Sequence, residues 1–140
     1  MFERLAMGIF AGKRPANLGF RDGKFKPCSW KPNSVSSTAA TEDAKHYIAP
    51  FSFTGDPMQA WQRLTAIVKA APRVNIVSET SDYLHAEFAS MGLGFVDDVE
   101  FALDAAGKHI QVRSAARLGV RDFGVNRKRL EGIRSRFAGR

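Results

Sequence analysis

Four stretches in the second half of the chain alternate apolar and polar residues: RVNIVSET at 73–80, YLHAEFASM at 83–91, FVDDVEFAL at 95–103 and HIQVRSAAR at 109–117. Turn formers separate them: Ser81-Asp82, then Gly92 and Gly94, then Ala105–Lys108. Side chains of a strand point alternately to its two faces, so a period of two between turns predicts four consecutive strands in a meander. HYIAPFSF at 46–53 reads as a further strand, and Pro50, which has no N–H for a ladder, assigns it to an edge.

Two segments change to helical spacing. In TGDPMQAWQRLTAIVKAAP, Asp56 can cap, Pro57 suits a first helical position, and Trp61, Leu64, Val68 and Ala71 share one face until Pro72, which predicts a helix over 57–71. Further on, Asn126 can cap a helix whose Leu130, Ile133 and Phe137 form an apolar stripe, ended by Gly139. The element order is therefore β-α-β-β-β-β-α. Short connections favour an α+β fold with a single antiparallel sheet of about five strands and both helices on one face. The order resembles that of TATA-binding-protein-like and helix-grip domains.

The first third is less periodic. Phe2, Leu5, Ile9 and Phe10 recur at helical spacing, but Glu3 and Arg4 interrupt the start and the apolar run is too short for a secretory segment. Residues 1–11 are expected to form a short amphipathic helix, retained in the mature chain and docked on the domain, on a partner or on a membrane surface. Residues 12–45 hold Pro15, Pro27, Pro32 and the run Ser34–Thr38 without a sustained period, which predicts an irregular arm. Phe20, Phe25 and Trp30 are too apolar for a free linker, so the arm is expected to lie against an α+β domain spanning 46–140.

Alternation also sorts the acids of the third meander strand. Phe95, Asp97, Val99, Phe101 and Leu103 share the face that meets the helices, while Val96, Asp98, Glu100 and Ala102 share the other. Matching faces across the loop at 105–108 pairs 103 with 110, 101 with 112, 100 with 113 and 98 with 115. Glu100 then faces Arg113, and Asp98 lies diagonally between Arg113 and Arg117. The same matching across Leu93-Gly94 sets Glu87 beside Glu100, with His85 close by. Such a cluster supports either a cross-strand ion-pair ladder or a site whose arginines grip a carboxylate or phosphate. Asp97, pointing toward the core, needs backbone N–H donors or an arginine from NRKR at 126–129, a structural role.

Composition adds two bounds. The chain has 140 residues, is 44% hydrophobic and carries eleven Phe, enough to bury one core, and no apolar run approaches the roughly 18–20 residues of a membrane span. Cys28 is the sole cysteine, which excludes an intramolecular disulfide and fits a reducing compartment, so the location expected is cytoplasmic or peripheral at a membrane. The net charge of +7 is uneven: residues 1–112 hold twelve Lys/Arg and twelve Asp/Glu, whereas residues 113–140 hold nine Lys/Arg against Asp122 and Glu131. That segment is either a solvated basic face or an attractor for phosphates and acidic partners.

Three stretches carry a resemblance: PNSVSS at 32–37, DDVEF at 97–101 and RSAARLGVRDFGVNRKRLEGIR at 113–134. Together they resemble the signature of domain of unknown function 1499, over about Leu18 to Phe137. Its motifs fall on Pro32, Asn33, Val35, Ser36, Ser37, Asp97, Asp98, Arg113, Ser114, Arg117, Gly119, Asp122, Gly124, Asn126 and Arg127. The resemblance implies no reaction, because the family has no established activity. Many relatives carry C-P-x-x-P-N-C-V-S-S in the arm; here Ser29 follows Cys28 and Ser34 stands at the second cysteine position. Many also carry export or anchoring segments, where this chain has only its amphipathic start.

Function is weighed against these residues. His46, His85 and His109 lie on different expected strands without metal-ligand spacing, and neither Ser36 nor Ser37 has a base nearby in the sequence, so no catalytic residue, metal or cofactor is assigned. An enzyme using the arm and the Arg/Asp cluster stays an alternative, as does a nucleic-acid binder built on the C-terminal arginines, although Glu87, Asp98 and Glu100 on an open face would repel phosphates. The favoured reading is a non-catalytic binding or interaction domain for a small anionic ligand or an acidic partner segment. Its expected ligand-binding residues are Asn33, Ser36, Ser37, Asp98, Glu100, Arg113 and Arg117; Asp97, Asp122, Asn126 and Arg127 are expected to be structural. Membrane contact would run through residues 2–10.

Overall fold

The structure, a computed structural model, describes residues 11–139. The amphipathic helix expected over 1–11 therefore lies, apart from Ala11, outside the described residues. Ten elements follow in order: β1 (Phe20–Arg21), β2 (Lys24–Phe25), β3 (Ser34–Ser36), β4 (Phe51–Ser52), α1 (Pro57–Lys69), β5 (Val74–Glu79), β6 (Tyr83–Ala89), β7 (Val96–Asp104), β8 (His109–Ala116) and α2 (Val125–Phe137).

The fold is α+β with antiparallel ladders, but the single five-strand sheet is corrected. A six-stranded sheet runs β3-β8-β7-β6-β5 with β4 also on β8, and β1-β2 form a separate two-stranded sheet. The additional strand comes from the arm, where Val35 supplies a buried apolar residue between Ser34 and Ser36. Three residues with so little period give no strand signal of their own; the outer edge of β8 recruits them. That edge is shared, because β3 pairs with Arg113–Ala115 and β4 with His109–Ile110. The strand expected over 46–53 is correspondingly interrupted: Tyr47 bridges Ser36, and ladder pairing resumes only at Phe51, past Pro50.

The four-strand meander forms as the alternation dictates. Between β7 and β8 the observed pairs are Leu103–Ile110, Phe101–Val112, Glu100–Arg113 and Asp98–Ala115, the expected register. Between β6 and β7 the register differs by two residues, pairing Glu87 with Asp98 and His85 with Glu100. The reason is the turn. Ser90 N–H donates to Phe95 O at 2.7 Å, which closes a loop over Met91–Gly94 with left-handed glycines at 92 (φ 83°) and 94 (φ 75°). A turn centred one residue earlier shifts every pair by two and leaves the faces unchanged.

Both helices pack on one sheet face. Trp61, Leu64 and Val68 of α1 and Leu130, Ile133 and Phe137 of α2 share a core with Leu84, Val99, Phe101, Ile110 and Val112. In α1 the Asp56 carboxylate accepts from Gln59 N–H at 2.9 Å and Pro57 opens the first turn, an arrangement worth about 1 kcal/mol. The helix ends at Lys69, two residues before the expected limit. For α2, Asn126 is not the cap: the helix begins at Val125, and the Asp122 carboxylate accepts from Gly124 N–H at 2.9 Å and Asn126 N–H at 3.1 Å. Asn126 is instead fully buried.

Candidate functional site

The sheet face away from the helices carries charge, and the arm covers it. Arg14 grips Glu87 through two bonds of 2.6 and 2.9 Å, Gly19 N–H donates to Glu100 at 2.9 Å, and Arg113 Nε donates to Lys26 O at 3.0 Å. Beneath the arm, Arg117 Nη2 reaches Glu87 and Asp98 at 2.7 Å each, and its Nε reaches Asp98 at 3.1 Å. His85 Nε2 lies 2.9 Å from Asp98, Tyr83 O–H donates to Glu100 at 2.6 Å, and Arg113 stands 3.4 Å from Glu100. Glu87, Asp98, Glu100 and Arg113 are all buried.

This closure sets the electrostatics. Burial pushes the Glu87 carboxyl up, but hydrogen bonds from Arg14, Arg117 and Asn75 outweigh it and bring it down to about 2. Asp98 is also lowered, burial being outweighed by His85 and Arg117. Arg117 is raised: the Asp98 and Glu87 carboxylates exceed its own desolvation. Tyr83 is raised strongly, first by burial and then by the Glu100 charge, so it stays a neutral donor. Arg14, Tyr83 and Asn75 belong to this network without having been singled out. Alternation with His85 and Glu87 places Tyr83 on the face; Arg14, in an aperiodic arm, has no sequence signal.

The arm residues chosen from the sequence lie elsewhere, along the β8 edge. Ser37 Oγ donates to Gln111 at 2.7 Å and accepts from Val112 N–H at 2.8 Å, while Ser36 Oγ bonds the Thr38 hydroxyl at 3.1 Å. Asn33 Nδ2 donates to Gly119 O at 2.8 Å, and its carbonyl accepts from Ala116 N–H and Asn126 Nδ2. Ser34 Oγ is the one buried side-chain polar atom without a partner among the described residues.

A second constellation sits where β7 begins and β8 ends. Asp97 pairs with Arg129 at 2.7 Å, and Arg129 also donates to Asn126 Oδ1 at 2.9 Å and Ser114 Oγ at 3.2 Å and lies 5.1 Å from the Phe88 ring centre. Ser114 in turn donates to Asn126, whose Nδ2 donates to Asp122 at 2.8 Å. Arg127 Nη2 donates to Ala44 O at 3.3 Å, tying α2 to the arm. Burial raises the Asp97 carboxyl further than Arg129 lowers it. Together these contacts fix the loop between β8 and α2.

That fixed loop walls an apolar cleft of about 430 Å³ lined by Phe95, Val96, Leu118, Phe123 and Val125, with Asp97, Arg121, Asp122 and Arg129 among its polar groups. Phe123 is 86% exposed and holds a left-handed backbone at φ 54°. A bulky aromatic rarely adopts that region, and strain of this kind clusters at functional sites. The sequence hid the cleft because its walls come from strand ends and turns that are far apart in the chain.

Among the described residues no group of three His, Cys, Asp or Glu is arranged to hold a metal ion, and no helix is long and apolar enough to cross a membrane. Residues 24–137 match a family described as a protein of unknown function, DUF1499. The chain belongs to the DUF1499 family. No curated protein and no solved structure matches it. In this DUF1499 chain the stretches that carried the resemblance, PNSVSS, DDVEF and RSAARLGVRDFGVNRKRLEGIR, are joined to one another by the bonds of Asn33 to Gly119, Asp97 to Arg129 and Arg117 to Asp98, and the last is tied within itself by Ser114 to Asn126.

Proposed function

We propose that this protein is a non-catalytic binding domain whose ligand is an amphipathic anion held in the cleft between the start of β7 and the β8–α2 loop. The observation that carries the reading is the coincidence of apolar walls, Phe95, Leu118 and Phe123, with the guanidinium groups of Arg121 and Arg129 in a single cavity. The walls take the apolar part of the ligand, and Arg121 attracts its charged end, while Arg129, paired with Asp97, adds to the basic surroundings. The excess of nine cations over two acids in residues 113–140 supports that polarity.

The Arg113/Arg117 cluster is a weaker home for such a ligand. Arg117 is already engaged by two carboxylates and the arm lies across the face, so an anion there would have to displace Glu87 or Asp98. Titrating the protein with dodecyl phosphate below its micelle concentration, followed by backbone amide shifts, separates the two places. Shifts gathered at Val96, Leu118, Phe123 and Val125, and weakened by Leu118→Ser, are expected. Shifts gathered at Glu87, Arg113 and Arg117, or none at all, would refute the reading.

A further inference from the structure

We infer that the end of the molecule bearing the cleft docks on an anionic lipid bilayer, an inference that rests on the cleft reading and names the source of its amphipathic anion. Two loops meet at this end, Met91–Phe95 between β6 and β7 and Leu118–Gly124 between β8 and α2. Met91, Leu93, Val120 and Phe123 are exposed on them, although large apolar side chains are ordinarily withdrawn from water. Apolar side chains carried on loop tips suit the boundary between lipid headgroups and acyl chains, where their burial is favourable and the backbone keeps its water.

The basic surface stands beside them. A groove of about 490 Å³ adjoins the cleft, sharing Ser90, Val125 and Arg129 with it, and is lined by Arg73, Lys128 and Arg136 with no carboxylate among its lining residues. Apolar tips that enter the bilayer therefore bring a set of cations to headgroup depth, where they meet lipid phosphates and acidic headgroups. Charge decides between occupants. A second copy of this chain would oppose the same cations to themselves, whereas an acidic bilayer is complementary along the whole groove.

The fixed loop supports the same conclusion. Phe123 is presented from a left-handed backbone position flanked by the Asp122 contacts to Gly124 and Asn126, so less of the loop has to be fixed when the aromatic meets a surface. Arg129 spans both parts: it lines the apolar cleft and the basic groove, and Asp97 and Asn126 hold it still.

Vesicle co-sedimentation of the full chain tests this, using phosphatidylcholine alone and phosphatidylcholine mixed with phosphatidylserine, beside the dodecyl phosphate titration. Binding to the phosphatidylserine vesicles alone, weakening as salt is added, is expected. Leu93→Ser with Phe123→Ser should reduce the bound fraction about tenfold, and Lys128→Glu with Arg136→Glu should abolish the preference for phosphatidylserine. Leu93 and Phe123 lie on loops, Lys128 in the first turn of α2 and Arg136 in its last, and thermal unfolding of each variant checks that the fold is kept. Binding of dodecyl phosphate without vesicle binding would overturn the bilayer inference and leave the cleft reading standing. Vesicle binding unchanged by the loop variants, or equal on both lipid mixtures, would also overturn it, and self-association through this face in place of vesicle binding would assign the surface to a second copy.

Discussion

Arg117 bridges Glu87 of β6 and Asp98 of β7, its Nη2 lying 2.7 Å from each carboxylate beneath the arm. The two acids stand opposite each other in the ladder, so without the guanidinium between them two like charges would face one another in a buried place. Arg117→Ala is expected to cost about 3–5 kcal/mol, the range for removing one partner of a buried pair. Arg117→Lys should recover only part of that, since an ammonium cannot span both carboxylates with a planar fork. Urea unfolding at neutral pH measures both, and a loss within error of zero for the alanine variant would show that the bridge contributes nothing.

The same network predicts an acid limb to the stability curve. Glu87 titrates at about 2 in the folded protein against an ordinary value of 4.5, and Asp98 is lowered as well. A carboxyl depressed by folding stabilises the protein fully above its unfolded value, and that contribution is lost as pH falls through the window from 4.5 toward 2. Urea midpoints taken down through this window should fall steadily, and Glu87→Gln should flatten part of the slope. A midpoint independent of pH there would contradict the assignment.

Ser34 gives a prediction of opposite sign. Its hydroxyl is buried on β3 with no partner, so it bears a desolvation cost with nothing in return. Ser34→Ala should leave stability unchanged or raise it by up to about 1 kcal/mol. A loss above that in thermal or urea unfolding would mean that the hydroxyl has a partner after all.

Phe123 should separate stability from binding. Replacing a non-glycine residue held at positive φ by glycine relieves strain of about 1–3 kcal/mol, offset in part by the greater chain entropy of glycine. Phe123→Gly is expected to match or exceed the parent in thermal unfolding while binding dodecyl phosphate and acidic vesicles more weakly. Loss of stability with binding intact would reverse the account of this residue.

The chain announced its meander clearly because alternation is a local signal, and the β7–β8 register followed from matching two apolar faces across a short loop. The β6–β7 register did not, since Gly92 and Gly94 both offered a left-handed turn position and the pattern alone does not choose where the loop is centred. β3 escaped notice for a different reason: it is three residues long and becomes a strand only because β8 has a vacant edge beside it. Arg14 was invisible to periodicity, being placed by the path of the arm. Asp97 was legible, because a carboxylate on the core face demands a cation and Arg129 lies one helical turn into α2.

The shared pairing of β3 and β4 on β8 also governs what the sheet can recruit. Its two short tenants leave β8 no continuous row of open amides, so on that side an extended peptide has no ladder to join. At the opposite margin β5 presents an outer row, and its register shifts between Ile76 and Ser78, which bends the template away from a straight incoming strand. The molecule thus has both margins guarded against growth by strand addition, one by occupancy and the other by curvature, which protects a chain rich in β-structure from pairing with its own copies.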